Sequence, residues 1–110
     1  MRILIDECVD PRLKTEFPDY TAKTVFDMGW SGLKNGELLR RAHGQFDVFV
    51  TIDKGIEFQQ DLAGFGLAIV IISVPKNRIE YYRPILAEIR RAMKSVRPGR
   101  LIHVAHKDAT

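Results

Sequence analysis

The residues of this chain most able to do chemistry are four acids in its first half. Asp6 and Glu7 come directly after a short apolar run, and Asp53 follows a second one. Glu37 opens an apolar-periodic segment between the two runs. Carboxylates at the ends of buried strands are costly unless they are paired, hydrogen-bonded or bound to a cation. The pattern therefore predicts a divalent-metal site.

The segments that must position these acids alternate between strands and helices. Strands are predicted at 2–5, 21–26, 47–52, 68–74 and 101–105. Helices are predicted at 10–17, 35–43, within 54–63, and at 79–96, with Pro84 near the start of the last helix or as a kink in it. This alternation predicts a parallel sheet with right-handed crossovers, and the carboxyl ends of such strands form a ligand crevice.

Composition and length are those of one globular domain, residues 1–110, with 45% hydrophobic and 28% charged residues. No apolar run approaches the roughly 20 residues that span a bilayer, and the N-terminal run is too short for a signal peptide. The single cysteine, Cys8, suits a reducing compartment, so the cytoplasm is the predicted location. A net charge of +3 is a weak argument for a polyanion partner, but an acidic crevice on a basic body suits an enzyme of nucleic acids.

Oxygen ligands of this kind suit Mg²⁺ or Mn²⁺, which keep several of their waters. Asp6 and Asp53 would project from neighbouring strand ends, and Glu37 could reach the same point from the start of a helix. Glu7 joins them only if the chain turns beyond the strand, because successive strand side chains face opposite ways. The alternative for each acid is structural: a helix cap at Asp6, Glu7 or Asp53, and a first-turn acid favoured by the helix dipole at Glu37.

Four further residues are candidates for contact with RNA. Lys54, beside Asp53, could contact a scissile phosphate and stabilise charge in the transition state, or could be a solvated lysine. Trp30, in a loop between glycines, could stack on an unpaired base, or could pack against the protein. Arg40 and Arg78 are basic residues that could touch the RNA backbone, or lie on solvated faces.

Four segments of the chain resemble the small PIN-like proteins of bacteria and archaea: MRILIDE at 1–7, VFDMG at 25–29, NGELLRRA at 35–42 and VTIDK at 50–54. The resemblance implies an α/β fold of three layers, α/β/α, with a central, mainly parallel sheet of about five strands. It also implies an Mg²⁺- or Mn²⁺-dependent ribonuclease. In the PIN-like pattern Asp6, Glu37 and Asp53 match the acidic ligand positions. Glu7 matches the second acid of an Asp-Glu pair, and Thr51 matches the Thr or Ser two residues before the last acid.

The chain departs from the PIN-like pattern at two places. After Asp53 and Lys54 the subgroup often has Asp-Phe, whereas this chain continues GIEF at 55–58. Either Glu57 or Asp61 replaces the missing acid, or nothing does. Asn35 also stands where an acid is frequent. Fewer acids weaken the binding of a second ion, which leaves one-metal catalysis, or no catalysis, open.

The preferred hypothesis is a PIN-type endoribonuclease that cleaves single-stranded RNA. Many PIN proteins are toxins of toxin–antitoxin pairs, so an antitoxin chain is a candidate partner, and a second copy of this chain is another. No membrane partner is expected.

Two alternatives remain. A receiver-like signalling domain also has an acidic pair after its first strand and a phosphoacceptor Asp after its third, which Asp6-Glu7 and Asp53 would match, with Ser73 and Lys107 near the later strand ends. A receiver does not need Glu37, whereas a nuclease site does. The other alternative is a catalytically degenerate PIN-like protein that serves as a binding module.

Overall fold

A computed structural model describes residues 1–59 and 61–109 and contains a five-stranded sheet. The strands are β1 (Arg2–Ile5), β2 (Thr21–Thr24), β3 (Val48–Thr51), β4 (Ala68–Ser73) and β5 (Leu101–Ala105). Their order across the sheet is β2-β1-β3-β4-β5, and every neighbouring pair is parallel. The predicted parallel sheet is confirmed.

Helical segments connect the strands. The α-helices are α1 (Asn35–Ala42), α2 (Ile56–Gln59), α3 (Ile79–Tyr82) and α4 (Leu86–Ser95). Three 3₁₀ segments add to them, at Pro11–Glu16, Leu62–Phe65 and Arg83–Ile85. The helix predicted within 54–63 is thus α2, and Gln60 in that range lies outside the described residues.

Apolar residues on both faces of the strands explain the three layers. Side chains alternate along a strand, so Ile3 and Ile5 of β1 pack into one apolar cluster while Leu4 packs into the other. The first cluster also takes residues of the 11–16 segment, α3 and α4, and the second takes residues of α1 and α2. The sheet therefore has helices on both faces, and the α/β/α architecture is confirmed.

Two predicted helices differ in form from those of the structure. Asp10 caps the segment 11–16 by accepting a hydrogen bond from the Arg12 amide at 3.0 Å, but that segment is 3₁₀ rather than α. Its backbone hydrogen bonds join residues three apart, since the Leu13 amide donates to the Asp10 carbonyl at 3.0 Å and the Phe17 amide donates to the Lys14 carbonyl at 3.4 Å. The predicted helix 79–96 is α3 and α4 joined by a 3₁₀ turn at Pro84, because proline has no N–H to continue the α-helical ladder.

Strand β2 ends two residues before the predicted Phe26. The amide of Thr24 donates to Asp27 Oδ2 at 2.9 Å, and the amide of Asp27 donates to Thr24 Oγ1 at 3.0 Å. This reciprocal pair closes a turn immediately after Thr24, as short polar side chains commonly do.

The strand order places a topological switch point between β1 and β3. In doubly wound sheets of this order the ligand crevice lies at the carboxyl ends of those two strands. Asp6 directly follows β1, and Asp53 lies two residues beyond β3. Among the described residues no helix is long and apolar enough to cross a membrane.

Candidate functional site at the carboxyl ends of β1 and β3

Asp6 is a buried carboxylate held by donors on both oxygens. Its amide continues the β1–β3 pairing by donating to the Val50 carbonyl at 2.9 Å. Its Oδ2 accepts from Thr51 Oγ1 at 2.7 Å and from the Cys8 thiol at 3.3 Å, and its Oδ1 accepts from the Glu7 amide at 2.9 Å. The residue is 7% exposed, so these donors replace the water that a carboxylate would otherwise have.

Asp53 is fixed by the turn that follows β3 and by the start of α1. Its Oδ1 accepts from the Gly55 amide at 2.9 Å, and its Oδ2 accepts from the Asn35 side-chain amide at 3.2 Å. The Asp53 amide donates to Thr51 Oγ1 at 3.0 Å. One hydroxyl, that of Thr51, therefore contacts both Asp6 and the backbone of Asp53.

Cys8 takes a polar role at this site. Burial raises the pKa of the Cys8 thiol, and the neighbouring Asp6 charge adds to that rise, so the thiol stays protonated and able to donate. This contact was not among those predicted from the sequence. Its only signal was the position of Cys8 two residues beyond Asp6, on a chain that had to turn there.

Glu7 lies beside Asp6 but faces a different element. It is exposed, and its Oε1 accepts from the Gly32 amide at 3.2 Å. Asp6 and Glu7 nevertheless line one cavity together. The side chain of Glu7 thus lies at the rim of the site.

Glu37 is held by two arginines of its own helix. Its carboxylate accepts from Arg41 Nε at 3.0 Å and from Arg40 at 3.0 Å, and these hydrogen bonds lower the pKa of Glu37. Asn35 and Glu37 are two residues apart, which is about 200° around a helix. Because Asn35 contacts Asp53, Glu37 is directed to another side of α1.

Thr51 thus joins the Asp6 carboxylate to the backbone of Asp53, and Asn35 is the contribution of α1. Within residues 1–59 and 61–109, no group of three His, Cys, Asp or Glu side chains is arranged to hold a metal ion. Glu57 and Asp61, the two acids considered as replacements for the missing one, lie elsewhere. Glu57 contacts His103 Nε2 at 3.3 Å, and Asp61 precedes the 3₁₀ turn at 62–65 as its N-cap residue.

Asp6 and Asp53 are the residues that could hold one hydrated hard cation. Mg²⁺ is commonly bound through one or two carboxylates and keeps several waters. A carboxylate offers about four acceptor sites, so Asp6 and Asp53 can keep hydrogen-bond donors and also bind a cation. Two carboxylates leave few oxygen ligands for a second ion.

The other predicted contact residues are distributed around the fold. Lys54 is exposed and directly follows Asp53. Arg40 is exposed and paired with Glu37, and Arg78 is exposed in the loop before α3. Trp30 is 8% exposed and packs edge-on against Phe46 with ring centroids 6.1 Å apart, so its ring is part of the core and is not open to a base.

Comparisons of the chain with protein-family models, with curated proteins and with solved structures found no match. What the fold and the site define is a class: a three-layer α/β domain with a pair of linked acids at the switch point of a parallel sheet.

Proposed function

We propose that the chain is a metal-dependent ribonuclease of PIN type that cleaves single-stranded RNA with one Mg²⁺ or Mn²⁺. The observation that carries the proposal is the linkage of Asp6 and Asp53 through the buried Thr51 hydroxyl at the β1–β3 switch point. Asp6 is buried and Asp53 is partly buried, and acids at a ligand crevice are where cation chemistry is expected.

The roles of the residues follow from their contacts. Asp6 and Asp53 are proposed to bind the ion, while Thr51 and Asn35 orient the two carboxylates. A bound ion would supply Lewis acidity and an activated water for attack on a phosphodiester. Lys54 is proposed to contact the phosphate, as an ammonium can offset the charge that develops there. Glu7 lies at the rim, and Glu37 contributes less because Arg40 and Arg41 hold it.

The proposal predicts cleavage of labelled single-stranded RNA with Mg²⁺ or Mn²⁺, and none with EDTA. Asp6→Asn and Asp53→Asn should each lower the cleavage rate by more than about 10- to 100-fold. That range is the usual cost of losing a group that is hydrogen-bonded to a metal ligand. Glu37→Gln should lower the rate less. Titration with Mn²⁺, followed by electron paramagnetic resonance, should show one bound ion that both asparagine variants lose.

Asp47→Asn is the matched control. Asp47 precedes the same strand, β3, at its opposite end, and pairs with Arg2 at 3.1 Å. Its variant should cleave RNA like the parent. Equal cleavage by the parent and by both site variants, or cleavage that persists in EDTA, would contradict the proposal and indicate a contaminating nuclease.

A receiver-like phosphoacceptor is the second candidate, because the order β2-β1-β3-β4-β5 is also that of receiver domains. Lys107, which would match the receiver lysine, lines a separate cavity with Pro84 and Glu88, which does not support this candidate. Incubation with a small phosphodonor distinguishes the two: a stable acyl phosphate on Asp53 would favour the receiver. A degenerate binding module would show neither cleavage nor phosphorylation.

Two partners belong to the proposal in finer detail. In a toxin–antitoxin pair, an antitoxin chain would cover the acids and suppress cleavage; the genes beside this one and co-purification with their products test that role. A homodimer is tested by light scattering. A cytoplasmic location also remains a proposal.

A further inference from the structure

A cavity of about 340 Å³ opens beside the acids, on the β2 side of Asp6. Its remaining walls come from the segment 9–14 and from the turn after β2. The side chains that line it are Asp6, Glu7, Val9, Pro11, Lys14, Thr24, Phe26, Asp27 and Ser31. The lining therefore combines two acids of the proposed site, Asp6 and Glu7, with apolar side chains and with further polar groups.

Phe26 is the unusual member of this cavity, because it is 79% exposed. It lies in a turn that backbone hydrogen bonds hold in place: the Val25 amide donates to the Ile5 carbonyl at 2.9 Å, and the Trp30 amide donates to the Val25 carbonyl at 3.0 Å. Val25 and Trp30 are buried on either side. The turn thus anchors its neighbours in the core and leaves an aromatic ring exposed on the wall of a cavity.

Hydrogen-bonding groups also line the cavity. Lys14 Nζ donates to Asp27 Oδ2 at 2.8 Å. This contact, together with the Thr24 amide, lowers the pKa of Asp27 to about 2, so both groups are charged at neutral pH. The hydroxyl of Ser31 lies on the same cavity. The lining of the cavity thus includes an aromatic ring, an ammonium, a carboxylate and a hydroxyl.

We propose that this cavity receives one unpaired base of single-stranded RNA, with the face of the base on Phe26 and its edge toward Lys14 and Asp27. Aromatic stacking combined with hydrogen bonds to the base edge is how unpaired RNA bases are recognised. The cavity lies at the lower end of the roughly 300–1,000 Å³ of small-ligand sites, which suits one base better than a protein segment. The choice of RNA as ligand rests on the proposed function.

The test is a titration of fluorescein-labelled single-stranded RNA of about ten nucleotides, a length that small binding modules cover. Fluorescence anisotropy is measured with Mg²⁺ present and in an Asp53→Asn background, so that the RNA stays intact. The variants added are Phe26→Ala, Phe26→Trp and Phe58→Ala. Phe58 is the matched control, because it is 84% exposed and does not line this cavity.

The expected result is that Phe26→Ala weakens binding by about 5- to 150-fold, the effect of losing one base stack, while Phe26→Trp retains it. Phe58→Ala should bind like the background. An RNA of the same length without bases should bind Phe26→Ala and its background equally. All these variants change exposed rings, so the fold should be unaffected, which circular dichroism checks.

Three outcomes would overturn the base cavity: unchanged affinity in Phe26→Ala, an equal loss in Phe58→Ala, or an equal loss with the base-free RNA. The proposed function fails separately. If binding depends on Phe26 but the parent shows no metal-dependent cleavage, the base cavity is supported and the nuclease function is contradicted. If the parent cleaves RNA but the affinity for RNA does not depend on Phe26, the nuclease function is supported and the base cavity is contradicted.

Discussion

At the scale of single residues, Thr51 connects the proposed site. Its side chain is fully buried, and its hydroxyl donates to Asp6 and accepts from the Asp53 amide. A hydroxyl is suited to this position because it is both a donor and an acceptor. The neighbouring thiol of Cys8 gives Asp6 a second, weaker side-chain donor.

We expect Thr51→Val to destabilise the protein by about 1–3 kcal/mol, because it removes a hydrogen bond to a buried charge while keeping the shape. Thr51→Ser keeps the hydroxyl and loses a methyl, which costs about 1 kcal/mol. Urea denaturation measures both. If the proposed function is correct, the rate of RNA cleavage should fall about 10- to 100-fold in the valine variant. In the serine variant it should stay near that of the parent. Equal cleavage in the two variants would show that the hydroxyl does not orient the acids.

At the scale of elements, hydrogen bonds between loops hold the chain that follows Asp6. Asn77, in the loop after β4, accepts from the Asp10 amide at 2.7 Å and from the Tyr82 hydroxyl, and donates to the Cys8 carbonyl at 2.8 Å. Asp10 in turn accepts from the Ile79 amide at 2.8 Å, at the start of α3. The loops after β1 and β4 are thereby joined beside the site.

Asn77→Ala should lower the free energy of unfolding by about 1–3 kcal/mol, because it leaves the hydroxyl of the buried Tyr82 and the Asp10 amide without this partner. The same alanine change in a Tyr82→Phe background should cost less, since no hydroxyl is then orphaned. A double-mutant cycle in urea measures the coupling, and strictly additive effects would contradict it.

At the scale of the whole molecule, carboxylates set the response to acid. Within the described part of the chain, five have a lowered pKa because of hydrogen bonds from nearby side chains or backbone: Asp10, Asp19, Asp27, Glu37 and Asp47. A carboxyl whose folded pKa is lowered contributes stability that is present above its unfolded pKa and is lost as the pH falls through the folded one.

We therefore expect the stability of the protein to fall as the pH decreases from about 4 to 2. Asp27 accounts for part of that fall, since its pKa drops from 3.8 unfolded to about 2 folded. Asp27→Asn should be less stable than the parent at pH 7 and should lose less on acidification. Urea denaturation at several pH values measures both slopes. Parallel slopes would show that the carboxyl of Asp27 does not contribute.

Much of this architecture could be predicted from local patterns. Apolar residues at successive strand positions indicate burial on both faces, as Ile3, Leu4 and Ile5 show. Strands that alternate with helices imply a parallel sheet, and a parallel sheet places Asp6 and Asp53 at the same edge. Pro84 could likewise be recognised as the interruption of the last helix.

What only the tertiary structure decided is the direction in which the side chains face. The rotation of α1 about its axis presents Asn35, and not Glu37, to Asp53. The path of the turn after β2 buries Trp30 and exposes Phe26. Both depend on packing between elements distant in the chain. Local sequence determines which element forms, whereas the contacts among elements determine which face of it meets the site.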